Sequence, residues 1–117
     1  MTGHENINYI EFPAADLSAT KQFYNKVFGW VFADYGPDYI AFANSGVDGG
    51  FYRSDKTSSV ANGAALVVLY SKNLIKTEQR IVASGGKIIK PVFSFPGGKR
   101  FHFSDPSGNE LAVWSEQ

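Results

Sequence analysis

Three side chains in this sequence could move protons from within a folded element: Glu11, His102 and Glu110. An imidazole takes and gives a proton near neutral pH, and a carboxylate shielded from water becomes a better base. Two carboxylates held near each other would push their proton affinities apart, so one could serve as acid and the other as base. Each has an ordinary structural alternative. Glu11 or Glu110 could pair with Arg100, Lys99 or another cation, and His102 could be hydrogen-bonded at a wall or exposed at a rim. Tyr9, Tyr52 and Trp114 offer a different chemistry, because each joins a flat apolar surface to a polar handle suited to stacking on a flat ligand. The same rings could instead fill space or cover a subunit seam. Gly50, beside Gly49, leaves room for a ligand or simply lets backbones approach. No Ser-His-Asp arrangement suggests itself, since only two histidines occur and His4 lies near the chain start.

These residues must be positioned by elements, and the elements come twice. Asp16-Leu17 opens an amphipathic stretch running to Phe28-Gly29, and Asn73-Leu74 opens another running to Ser84-Gly85-Gly86. Each follows an apolar run and precedes a hairpin-like region, a self-match at a spacing of roughly 55–60 residues that marks a duplicated unit. Asp16 is a fitting N-cap, Leu17, Phe23, Tyr24, Val27 and Phe28 recur at helical spacing, and Gly29 supplies the stop. Strands are predicted over 7–13, 30–32, 39–43 and 49–53, then over 64–70, 87–95, 100–104 and 110–115, with the second helix over 73–84. Pro96-Gly97-Gly98 reads as a hairpin turn rather than a phosphate loop, and Asp105-Pro106-Ser107-Gly108 as a second turn. The fold class is α+β, with βαβββ repeated as a first module near 7–53, a polar linker near 54–63 and a second module near 64–116, all within one domain of 1–117. Alternation places Ile40, Phe42, Phe101, Phe103, Leu111 and Val113 against the helices. It places Tyr9, Glu11, Gly50, Tyr52, His102, Glu110 and Trp114 on the other faces, which two curved sheets would turn into a cleft.

Composition narrows the function. Eleven basic side chains balance eleven acidic ones, so no field favours nucleic acid or an anionic membrane. The absence of cysteine removes disulfides, thiolate metal sites and a cysteine nucleophile. The first residues lack the pattern of a signal peptide and no run approaches membrane-spanning length, so the expected location is the cytoplasm. Open strand edges favour a homodimer.

The order of Phe23-Tyr24-Asn25-Lys26-Val27-Phe28-Gly29-Trp30, Ser84-Gly85-Gly86-Lys87 and Asp105-Pro106-Ser107-Gly108-Asn109 resembles the vicinal oxygen chelate superfamily of glyoxalase I, extradiol dioxygenases and bleomycin-resistance proteins. The resemblance spans nearly the whole chain. It implies paired βαβββ modules curving around a cup, often built from one module of each of two chains. Metal-dependent relatives carry His, Gln or Glu at one inward position on the first and last strand of each module. Carried over, those positions fall near Tyr9, Gly50, Leu66 or Val67, and Ala112, and a one-residue slip supplies no ligand either. A divalent metal needs several nitrogen or oxygen donors at about 2.0–2.2 Å, so no metal cofactor is expected at the usual site. The resemblance therefore leads to the expectation of a metal-free binder of a small, flat or aromatic organic molecule. The alternatives are a metal-independent lyase or isomerase using Glu11 or His102 for proton transfer, and a structural dimer whose cup is filled by its own side chains.

Overall fold

The computed structural model describes residues 3–116. The first module runs β1 (Tyr9–Ala14), α1 (Leu17–Phe28), β2 (Val31–Asp34), β3 (Tyr39–Ala43) and β4 (Asp48–Arg53). The second runs β5 (Val67–Tyr70), α2 (Leu74–Ala83), β6 (Lys87–Phe95), β7 (Gly98–Ser104) and β8 (Glu110–Ser115). Local chemistry sets the helix ends. The Asp16 carboxylate accepts from the Ala19 amide at 3.0 Å, and Gly29, at φ 74°, ends α1 by donating to the Asn25 carbonyl. Asn73 caps α2 in the same way through the Lys76 amide.

The duplication is exact at the level of topology. The sheets have orders β1-β4-β3-β2 and β5-β8-β7-β6, each with one parallel pair at the outer edge. A parallel pair needs a crossover, and α1 and α2 supply it. Five strands start elsewhere than the alternation suggests: β1 at Tyr9, β2 at Val31 and β5 at Val67 start later, while β4 at Asp48 and β7 at Gly98 start earlier, the last extended by the hairpin at 96–97. The polar linker is not slack. Ser58 donates to Asn109, Val60 donates to Glu110, and the Glu110 amide returns a bond to Ser58.

Both sheets turn their apolar faces to one shared core. Tyr24 stacks on Trp30 at 4.7 Å and Trp30 on Phe42 at 4.6 Å. Phe23 and Phe28 of α1 both reach Phe103 in the second sheet, at 6.2 and 6.0 Å. Ile40, Phe42, Phe101, Phe103, Leu111 and Val113 are all buried there, as alternation predicts. A polar bolt crosses the same junction. The Tyr24 hydroxyl donates to Asp105 at 2.8 Å, and Asn109 donates to the Pro13 carbonyl at 2.7 Å. The turn at 105–109 is thus also an inter-module tie, which its sequence did not reveal. No helix is long and apolar enough to cross a membrane among the described residues.

Candidate functional site

Because the core lies between the modules, each mixed face is turned away from it, and the candidate residues fall into two groups. Tyr9, Glu11, Gly50 and Tyr52 lie on the first sheet, and His102, Glu110 and Trp114 on the second. Among the described residues, no hydrogen bond, ion pair or ring contact joins one group to the other.

On the first sheet the organising residue is Tyr39, which shares its face with Ala41, opposite buried Ile40 and Phe42, and which the sequence did not single out. Its hydroxyl donates to Glu11 at 2.9 Å and lies 2.6 Å from the Tyr9 hydroxyl. Register explains the reach: Glu11 lies opposite Gly50, and Gly50 opposite Ala41, so the Tyr39 ring crosses an unobstructed strand. A Cβ on Gly50 would sit 2.0 Å from the Tyr39 oxygen. Gly50 therefore does not open the room anticipated for a ligand, because Tyr39 covers it. Burial, followed by the bonds to Tyr9 and Glu11, raises the Tyr39 pKa far above the usual phenol range, which keeps it a donor. Glu11 is exposed and takes its bond from a phenol rather than from Arg100 or Lys99. Tyr9 and Tyr52 present exposed rings beside it.

The second sheet carries two cross-strand rows. Phe93, Arg100, Trp114 and Tyr70 form one, and Lys90, His102, Ala112 and Val68 the other. His102 is buried, and its Nδ1 lies 2.8 Å from Glu110. Burial would raise the Glu110 pKa, but the His102 bond, the Val60 amide and the charge of Lys90 outweigh it and hold the carboxyl below its ordinary range. An ionised carboxylate only accepts, so Nδ1 carries the proton and donates. Nε2 of His102 is buried without a hydrogen-bond partner, and so is Nε of Arg100. Of the structural alternatives for Glu110, an ion pair with Arg100 or Lys99 gives way to the histidine bond. Arg100 instead lies over the Phe93 and Phe95 rings at 5.3 and 5.8 Å. A hollow of about 240 Å³ is lined by Val68, Phe95, Arg100 and Trp114.

Larger hollows lie elsewhere, and two of them exceed 400 Å³. One of about 550 Å³ flanks the start of α1, where Lys21 pairs with Asp34 at 3.0 Å and Arg53 lines the wall. Arg53 also pairs with Asp38 at 3.1 Å, so the cations of that hollow already have partners. The other, of about 470 Å³, runs along the module junction past Phe12, Trp30, Phe42 and Leu69 and belongs to the core side.

The positions corresponding to the metal ligands of the resembled family do not fit a cation. Tyr9 is bonded to Tyr39, Gly50 is covered, and Ala112 lies opposite Val68, with Val67 turned to the core. Among the described residues no group of three or more His, Cys, Asp or Glu converges.

The geometry agrees with solved structures. A glyoxalase-related enzyme from Fulvimarina pelagi is 20% identical, with 96% of this chain and 88% of that one covered at a TM-score of 0.78. A glyoxalase/bleomycin resistance protein/dioxygenase family enzyme from Burkholderia phytofirmans PsJN is 16% identical, with 96% and 99% covered at 0.80. Lactoylglutathione lyase from Agrobacterium tumefaciens is 16% identical, with 97% and 95% covered at 0.74. At these identities the likeness concerns the fold. No curated protein matches the chain. The sequence model for the glyoxalase/bleomycin resistance protein/dioxygenase superfamily matches residues 6–113, and with the paired βαβββ geometry this places the chain in that superfamily.

Proposed function

We propose that this protein binds a small, flat or aromatic organic molecule without a metal. The observation that carries the reading is the lining of the two mixed faces. Phenol, hydrogen and aliphatic groups stand where cation ligands would be needed, while Tyr9, Tyr52 and Trp114 border them with ring surface. Since the two groups face away from a shared core, a cup containing both requires a second copy of the chain, and the binding form is a homodimer. Exposed Val68 and Tyr70 on the unpaired β5 edge support this, because an open apolar edge favours association.

The test is a thermal-shift screen of flat organic compounds, run with and without divalent metals, with the oligomeric state followed by sedimentation. Stabilisation by organic compounds in the absence of metal is the expected result. Stabilisation by nickel, zinc, manganese or iron alone, with no response to any organic compound, would overturn the reading.

A second reading is favoured by one observation: His102 has Nδ1 anchored on Glu110 and Nε2 without a partner. A ring so oriented can accept a proton from a bound substrate, as in a metal-independent lyase or isomerase, with Glu11 the other candidate base. The neighbour named lactoylglutathione lyase makes lactoylglutathione a sensible first compound to test. Deuterium wash-in from solvent, lost in His102→Asn or Glu11→Gln with folding intact, would support it. Unchanged exchange in both variants would remove it.

A further inference from the structure

We propose that the outer face of the second sheet recognises an aromatic anion, an aryl carboxylate in the simplest case. Its ring would lie beside Trp114 and Phe95, and its carboxylate would bridge Arg100 and His102. This rests on the small-molecule reading above and narrows its ligand class.

The charges on this face do not balance. Of the acids near it, Glu110 is occupied by His102 and the Val60 amide, and Glu116 accepts from the Tyr70 hydroxyl at 2.6 Å. Arg100 has no carboxylate within ion-pair distance among the described residues, and the Lys90 ammonium sits 5.2 Å over Phe93. The groups facing His102 are therefore Glu110 from β8, Lys90 from β6 and Arg100 from β7, with aliphatic Val68 and Ala112 completing its row.

Two buried nitrogens await a partner, Nε of Arg100 and Nε2 of His102. Buried polar atoms are almost always hydrogen-bonded, so an orphaned pair on one face points to a missing partner. The two residues are two positions apart on β7, about 6.8 Å along the strand. A carboxylate with a bond of about 2.9 Å on either side spans such a gap. Phe93 and Phe95 flank the guanidinium at 5.3 and 5.8 Å, aromatic contacts that leave its buried Nε–H unpaired. The adjoining hollow of about 240 Å³ falls below the usual range for drug-sized ligands, roughly 300–1,000 Å³. It suits one or two fused rings.

With Nδ1–H donated to Glu110, a carboxylate oxygen facing Nε2 needs a proton between them, held either by Nε2 or by the ligand's own acid group.

Calorimetry with 2-naphthoate and its neutral isostere 2-naphthamide tests this on the full chain. The acid should bind at least tenfold tighter than the amide. Arg100→Gln should erase the preference of acid over amide, and Arg100→Lys, which keeps charge but loses Nε, should fall between. An amide that binds as tightly as the acid to the unaltered protein overturns the proposal without touching the broader reading. So does a preference that survives Arg100→Gln. Silence of both probes, and of every flat compound in the wider screen, overturns both.

Discussion

Removing one oxygen atom at the module junction should weaken the whole fold. In Tyr24→Phe the ring stays, stacked on Trp30 at 4.7 Å, so no cavity forms and only the hydroxyl bond to Asp105 is lost. Both partners are buried, so water cannot take the hydroxyl's place. A hydrogen bond to a charged group contributes about 1.5–3 kcal/mol. Asp105 keeps its bonds from the amides of Ser107 and Asn109 and from the Asn109 side chain, which argues for the lower half of that range. With a urea slope of roughly 1–3 kcal/mol/M, the unfolding midpoint should drop by about 1 M. The cost should also depend on pH. Burial raises the Asp105 pKa above the ordinary carboxylate value, against the lowering effect of its hydrogen bonds. A raised folded value means that Asp105 stabilises the fold fully at low pH, and that this contribution is lost as pH rises through the folded value. The bond from Tyr24 offsets part of that loss by favouring the ionised form. The variant's deficit should therefore be largest at neutral pH and shrink in acid. A midpoint change under about 0.3 M urea at neutral pH, or a deficit that grows in acid, would refute the reasoning.

Further outcomes follow from the two faces. Gly50→Ala should displace the Tyr39 hydroxyl from Glu11 at a cost of about 1 kcal/mol, because the bonds lost are partly exposed, and tyrosine absorbance would report it. Gly49→Ala should cost more in urea unfolding, since its Cβ would meet the Ile10 carbonyl oxygen at 2.0 Å and backbone cannot swing aside. Glu110→Gln should lower stability above about pH 5, where the native carboxylate is ionised in both states. The Glu110 pKa is lowered in the folded protein, so the wild-type advantage must fade as pH drops through that folded value. An advantage that persists undiminished at pH 2 would contradict the assigned His102 bond.

The elements were legible from local chemistry. Asp16, Gly29 and Asn73 act through neighbours three or four residues away, so the sequence carried the helix ends. Alternation sorted Phe101, Phe103, Leu111 and Val113 from His102, Glu110 and Trp114 because strand side chains have a period of two. The repeat and the three motifs led to the family that residues 6–113 match.

What remained hidden were the partnerships made across strands and modules. Tyr39 reaches Glu11 only because β1, β4 and β3 lie side by side with Gly50 between them, and Glu110 finds His102 diagonally across the β7–β8 ladder. Tyr24 and Asp105 meet over a separation of 81 residues, which no local spacing encodes. Periodicity fixes which way a side chain points. Only the packing of the sheets determines what it meets there, and in this protein that packing turns the two candidate faces away from one core.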